Sequence, residues 1–252
     1  MQIVVIGGSG LIGSKLVADL AEAGHQPVPA SLESGVNTLT GAGLAEAVAG
    51  AHVVVDVSNS PSFADHAVMD FFTTSTRNLL AAEAAAGVRH HVALSVVGAD
   101  RMPDSGYMRA KVAQERAIQA GPVPYTILRS SQFFEFVTRI ADSATVDGVV
   151  ALPPALMQPV AAADVASALS AIAQDSPRNA TVELGGPQSL RLDELARTVL
   201  RAHGDPRPVR ADAGARYFGA AVDDATLRPG AGARTGRTKL ADWLVLTMPA
   251  AA

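Results

Sequence analysis

Apolar and polar positions follow two rhythms along this chain. Short, largely apolar runs rich in β-branched residues occur at Gln2–Ile6, Val53–Val57, His91–Val97 and Tyr125–Arg129. Runs of this kind predict strands buried on both faces. Between them the period lengthens to that of a helix. Leu11, Leu16, Val17 and Leu20 share one face of an expected helix over Leu11–Ala23, which Gly24 closes. Further helices are expected at Leu44–Val48, closed by Gly50, and at Asp70–Ala86 and Tyr107–Ala120, each followed by a glycine. Two weaker strands fill the gaps: Gln26–Ala30, whose Pro27 and Pro29 each remove a ladder donor, and Thr38–Thr40. Strand and helix alternate throughout, which predicts an α/β fold of the Rossmann type, a doubly wound parallel sheet with helices on both faces.

After Phe136 the rhythm loosens. Prolines and glycines cluster between Gly148 and Pro159, a helix is expected at Asp164–Ala173, a strand near Thr181–Leu184 and a helix at Leu192–His203. The stretch from Gly204 to Gly236 reads as loops with short pieces. The expected organisation is a dinucleotide-binding core over 1–135. Residues 136–252 form a small C-terminal substrate lobe that partly returns to the core, the whole being one structural unit.

Composition narrows the function. The 252 residues are 48% hydrophobic and 17% charged, as in an ordinary globular chain of a size that buries a sizeable core. A net charge of −4 without a basic block argues against nucleic acid or an anionic membrane as partner. The absence of cysteine excludes disulfides, thiolate metal sites and thiol nucleophiles, and suits a cytoplasmic protein. Met1 runs directly into Ile3–Ile6, so no secretory signal is expected. The apolar stretch Val146–Ala163 is broken by Pro153, Pro154 and Pro159 and is not read as a membrane span.

Two motifs carry chemistry. Gly7-Gly8-Ser9-Gly10-Leu11-Ile12-Gly13 is a GxxGxxG pattern between an expected strand and an expected helix. There glycines let the backbone approach a pyrophosphate, and the helix start offers free N–H groups to the anion. Gly7, Ser9, Gly10, Leu11, Ile12 and Gly13 are the expected cofactor contacts. The second motif is Tyr107-Met108-Arg109-Ala110-Lys111. With three tyrosines and three lysines in the chain, a chance Tyr-to-Lys step of four is expected only about 0.04 times. That step puts both side chains on one helix face, where an ammonium favours phenolate and lowers the phenol's pKa from about 10. Ser95, near the end of its strand and twelve residues before Tyr107, is placed to orient a carbonyl.

The glycine loop, Asn78-Leu79-Leu80 in a long helix, the strand Val92–Ser95, Tyr107 with Lys111 and the strand ending at Arg129 together resemble the short-chain dehydrogenase/reductase superfamily. The weak second strand and the segment Pro159–Val165 are most similar to its atypical, NmrA-like branch, over residues 1–200. The resemblance implies nicotinamide cofactor binding, a catalytic triad of Ser95, Tyr107 and Lys111, and contact of Lys111 with the nicotinamide ribose. It also allows a homodimer. Three departures stand out. Phe72 occupies the place of a helix asparagine, Gly41 is followed by Ala42 rather than an acid, and Ser31-Leu32-Glu33 lacks an arginine for a 2′-phosphate.

The remaining candidates divide between binding and packing. Ser31 is placed to bond a ribose hydroxyl or a phosphate, and Glu33, twenty residues after Gly13, stands near a ribose-binding position. Ser58, Asn59 and Ser60 line the nicotinamide half of the cofactor or shape a turn. Val97, Phe133 and Phe134 are expected at the substrate pocket, with core packing an equal reading for one of the adjacent phenylalanines. His90 and His91 read as helix-to-strand turn residues, and Asp193-Glu194 as complements to a helix dipole. The function expected is an NAD(P)-dependent oxidoreductase moving hydride between nicotinamide and a small carbonyl, alcohol or activated alkene. The alternatives are a non-catalytic NmrA-like redox sensor and a sugar-type epimerase or dehydratase. Between cofactors, the reading leans slightly to NADP(H) over NAD(H), on the branch and on Ser31.

Overall fold

In a computed structural model, which describes residues 1–247, the apolar runs become the centre of a parallel sheet. The core strands are β1 (Gln2–Ile6), β2 (Gln26–Ala30), β3 (Val53–Asp56), β4 (His90–Val96) and β5 (Tyr125–Ser130). Between them run helices α1 (Leu11–Glu22), α2 (Leu44–Val48), α3 (Asp65–Ala86) and α4 (Gly106–Ala120). The C-terminal part contributes α5 (Val137–Ser143), β6 (Thr145–Val146), β7 (Val149–Leu152), β8 (Leu156–Met157), α6 (Ala162–Gln174) and β9 (Ala180–Gly185). It continues with β10 (Leu190–Arg191), α7 (Leu192–Ala202), β11 (Val209–Ala211), β12 (Arg234–Thr235) and α8 (Leu240–Thr247). The sheet order is β12-β9-β5-β4-β3-β1-β2, with every pairing parallel.

Strand geometry sorts the core. Neighbouring residues of β1 point to opposite faces, so Ile3 and Val5 pack with Leu16 and Leu20 of α1 and Val165 and Leu169 of α6. Val4 and Ile6 pack instead with Leu44 of α2 and Leu79 of α3. Burial on both faces is why these runs lack alternation. The prolines of β2 follow from its place at the sheet edge. Gln26 N–H donates to Met1 O and Ala30 O accepts from Gly7 N–H, so residues 26, 28 and 30 face β1. Pro27 and Pro29 point their missing donors outward, where no strand stands.

The stretch Thr38–Thr40 is a turn, which corrects the strand expected there. Asn37 Oδ1 accepts the N–H groups of Leu39 and Thr40 at 2.9 and 3.2 Å, and Asn78 Nδ2 of α3 donates to the carbonyls of Thr38 and Leu39. A side-chain acceptor in place of a ladder overrides the β preference of these residues. The C-terminal part divides: α6, β9 and β12 complete the main sheet and its helical layer. The remaining elements enclose a separate core of Phe134, Val150, Leu152, Leu195, Val199 and Trp243. The last five residues of that part lie outside the described residues. Among the described residues, no helix is long and apolar enough to cross a membrane.

His90 and His91 belong to β4 itself. His91 Nδ1 meets both oxygens of Glu83, at 2.8 and 3.0 Å, with both side chains fully buried. Burial pushes the Glu83 carboxyl up. Burial alone would push His91 down, but the charge and hydrogen bond of Glu83 hold it up. This contact ties the end of α3 to the start of β4. Removing one partner of a buried pair strands the other. Glu83→Ala is therefore expected to cost about 3–5 kcal/mol of stability. Glu83→Gln, which keeps a hydrogen-bonding partner, is expected to cost clearly less. Urea unfolding of the two variants beside the wild type measures both.

Candidate active site

The loop between β1 and α1 lies at the point where the chain leaves β1 for β2 on one side and β3 takes up the other, the crevice where open α/β sheets bind ligands. Its glycines do different work. Gly7 adopts φ +81°, and a Cβ there would come within 3.0 Å of the Ser58 backbone. A Cβ on Gly8 would press on Pro29, and one on Gly13 would strike the Gly7 carbonyl. These three are required by the fold. Gly10 is not: its φ of −76° suits any residue, and a Cβ would touch only Gly7 O, at 3.3 Å. Gly10 is also the N-cap of α1, a helix start without a side-chain cap and without an acidic residue in its first turn. Free N–H groups, a positive dipole end and a bare Cα facing a cleft together fit an anion such as a pyrophosphate.

A cleft of about 790 Å³ runs from this loop along the carboxyl edge of the sheet. Gly7, Ser9, Gly10, Leu11 and Ile12 line it, as do Ser31, Ser58 and Asn59. Ser95, Tyr107, Lys111 and Phe133 line it on the other side of the loop. Gly13 supports the loop from beneath. Three expected residues lie elsewhere. Ser60 is buried and caps a turn by accepting the Ser62 N–H. Phe134 turns into the lobe core, its ring 5.4 Å from that of Trp243. Val97 is buried and off the cleft wall. Adjacent residues leaving a strand point apart, so Phe133 and Phe134 cannot both reach the pocket. Phe63, Phe71, Phe136, Arg139 and Phe218 line the cleft unannounced by any motif, because they come from four separate segments.

Lys111 dominates the electrostatics. Its ammonium is buried, donates to Leu94 O at 2.8 Å and to Gln114 Oε1, and lies 4.3 Å from the centre of the Phe72 ring. Gln114 Nε2 in turn donates to Asp56 Oδ2, while Asp56 Oδ1 accepts the Ser58 N–H and hydroxyl. Burial pushes Lys111 down to about 8, with Asp56 and Glu115 pulling the other way. Phe72, the residue in the helix-asparagine place, is thus the floor of the ammonium site. Its edge also meets the Tyr107 ring at 5.8 Å.

Tyr107 stacks on Phe63 at 5.5 Å and donates its hydroxyl hydrogen to Asn59 Oδ1 at 3.1 Å. Burial holds its pKa above the ordinary value, which corrects the lowering expected from the step of four to Lys111; the hydroxyl stays protonated. Ser95 donates to Glu115 Oε1 at 2.6 Å, and Arg129 clamps both oxygens of that carboxylate at 2.8 and 2.6 Å. Its oxygen keeps lone pairs toward the cleft, but its hydrogen is committed to Glu115. Among the described residues, no cluster of His, Asp or Glu is arranged to hold a metal.

The NAD(P)H-binding family model matches residues 7–176, from the glycine loop through α6. The chain belongs to this NAD(P)H-binding family. Solved structures share its whole architecture. MoeE5, in complex with UDP-glucose and NAD, aligns at TM-score 0.75 and 18% identity over 98% of this chain and 97% of its own. A short-chain dehydrogenase/reductase superfamily protein from Agrobacterium tumefaciens with bound NAD aligns at 0.69 and 20% over 98% and 96%. An NADPH-dependent quinone oxidoreductase from Escherichia coli aligns at 0.65 and 19% over 97% and 98%. A search of the curated proteins found no match. The fold is therefore that of NAD(P)-binding proteins, and the solved structures that share it include a UDP-glucose 4-epimerase and a quinone oxidoreductase.

The contrast among the glycines gives a direct test. Gly10→Val is expected to leave the unfolding transition near that of the wild type and to abolish NADH binding in calorimetric titration. Gly13→Ala, which drives a Cβ into the Gly7 carbonyl, is expected to lose stability as well. Undiminished binding by a folded Gly10→Val protein would remove the anion from this loop.

Proposed function

We propose that the protein is an NAD(H)-dependent oxidoreductase that reduces the carbonyl group of a small molecule, with Tyr107 as proton donor and Lys111 as positioning cation. The observation that carries this reading is that Tyr107 and Lys111 line the same cleft as the glycine loop. When bound, the nicotinamide supplies or accepts hydride. Leu11 and Ile12 of the α1 start would hold its pyrophosphate, Ser58 and Asn59 would border its inner half, and Lys111 would reach its ribose.

The chain's own residues favour the reductive direction. The half-buried phenol, its pKa raised, stays protonated at neutral pH, so a proton is present to give and the phenolate needed for a base is scarce. Its hydrogen already points to an acceptor, Asn59 Oδ1, and a substrate carbonyl oxygen would take that place. An epimerase would begin by removing a proton from a sugar hydroxyl, which asks for the phenolate that burial here disfavours. Ser95, its hydrogen given to Glu115, is suited to shaping the pocket more than to donating.

The choice between cofactors follows from charge. Glu33 lines the cleft at the end of β2, and the cations on the cleft wall, Lys111 and Arg139, stand on the Tyr107 side. A lean to NADP(H) needs a basic group at the β2 end, and among the described lining residues none is present there. A carboxylate about 4 Å from a phosphate costs about 4 kcal/mol at an effective dielectric of 20, an upper bound for a group that is exposed. These points support NAD(H). NADH is expected to bind more tightly than NADPH, with Glu33→Gln narrowing the gap, as side-by-side dissociation constants will measure.

Catalysis is tested at Tyr107. Tyr107→Phe is expected to bind NADH normally while turnover falls by about a hundredfold or more. Lys111→Ala is expected to weaken both. Because Lys111 loses its proton near 8, kcat/KM of the wild type is expected to fall as pH rises through that value. Equal turnover by Tyr107→Phe would transfer the protein to the redox-sensor reading.

A further inference from the structure

Past Tyr107 the cleft is walled by rings. Phe63, Phe71, Phe133, Phe136 and Phe218 line it, five of the chain's seven phenylalanines. One of them is held there against the backbone's preference. Phe218 sits at φ +46°, in the left-handed region that a bulky residue rarely adopts. Its ring packs edge-on to Tyr217 at 4.8 Å and tilts against Phe136 at 6.4 Å. Strain of this kind persists where the surroundings over-determine a side chain's place.

A single cation stands among these rings. The Arg139 guanidinium carbon lies 5.1 Å from the Phe63 ring and 5.6 Å from the Phe136 ring, and Phe63 stacks on Tyr107. Rings that cover its faces order the guanidinium and leave its N–H edge for a partner. No carboxylate of the described residues pairs with it. Glu135, the acid of the same wall, is engaged elsewhere, with Ala162 N–H at 3.1 Å and Trp243 Nε1–H at 3.1 Å.

From this we infer that the substrate is a flat, conjugated carbonyl compound bearing a carboxylate, a reading that rests on the reductase function above. Its ring lies against Phe133 and Phe218 on the cleft wall, and its carboxylate takes the fork of Arg139. The carbonyl is then one ring removed from the anion and faces Tyr107. Reduced nicotinamide, when bound, would supply the hydride that the carbonyl carbon takes and would itself be oxidised. The C=O π pair would take the Tyr107 hydroxyl proton to give the alcohol, and Tyr107 would recover its proton from water. A nucleotide sugar fits this wall poorly. Its diphosphate asks for more than one cation, and its hydroxyls would face rings.

The test is calorimetric titration of 4-formylbenzoate, methyl 4-formylbenzoate and UDP-glucose into the protein saturated with NAD+. The acid is expected to bind about tenfold more tightly than its ester, the scale of a charge-assisted pair. Arg139→Gln is expected to erase that preference and leave the NAD+ dissociation constant unchanged, and added salt is expected to shrink the preference. Equal binding of acid and ester, binding of neither, a preference that survives Arg139→Gln, or tighter binding of UDP-glucose would each overturn the inference. A change in NAD+ affinity with Arg139→Gln would assign the guanidinium to the cofactor and overturn it too. Failure of the wild type to bind NAD+ would instead take down the reductase reading on which it rests.

Discussion

An ammonium ion taken out of water is the most demanding group in this molecule, and the architecture around Lys111 is the response to it. Burial of a charge costs several kcal/mol unless its donors are met. Here the carbonyl of Leu94 on β4, the amide of Gln114 on α4 and the face of Phe72 on α3 meet them. Asp56 on β3 acts one step further out through Gln114. Two strand ends and two helices are thereby locked together at the carboxyl edge of the sheet. The pKa near 8 is the residue of that contest: burial wins part of the way, and the carboxylates keep the ion charged at neutral pH.

The same network reaches the glycine loop. Asp56 holds Ser58 by both its N–H and its hydroxyl, and the Ser58 backbone lies where Gly7 has room only for hydrogen. The group that steadies the lysine therefore also sets the wall of the loop that receives an anion. A parallel sheet brings every strand's carboxyl end to one edge, which lets residues from β1, β3, β4 and α4 share a cleft although they are far apart in the chain. Position of the lysine and position of the loop are two consequences of one arrangement.

Much of this was legible in the sequence, because local patterns carried it. The buried strands announced themselves by unbroken β-branched runs, the anion loop by three spaced glycines, and the Tyr107–Lys111 pair by a step of four on a helix. What stayed hidden depended on contacts across the chain. Thr38–Thr40 has strand-like composition, yet Asn37 and Asn78 satisfy its backbone and make it a turn. Gly10 cannot be told from Gly8 or Gly13 until the space each Cβ would fill is known. Of Phe133 and Phe134 only the first reaches the cleft, a choice made by Trp243 more than a hundred residues later. Arg139 carries no motif, and its meaning comes from two rings, one of them from a distant loop.

A crystal structure of the protein with NADH bound tests the central claim most directly. The account predicts the pyrophosphate on the N–H groups of Leu11 and Ile12 against the bare Cα of Gly10. It predicts the nicotinamide ribose at Lys111 and the nicotinamide ring on the Tyr107 side of the cleft. A nicotinamide turned away from Tyr107, or a pyrophosphate seated anywhere but the start of α1, would contradict it.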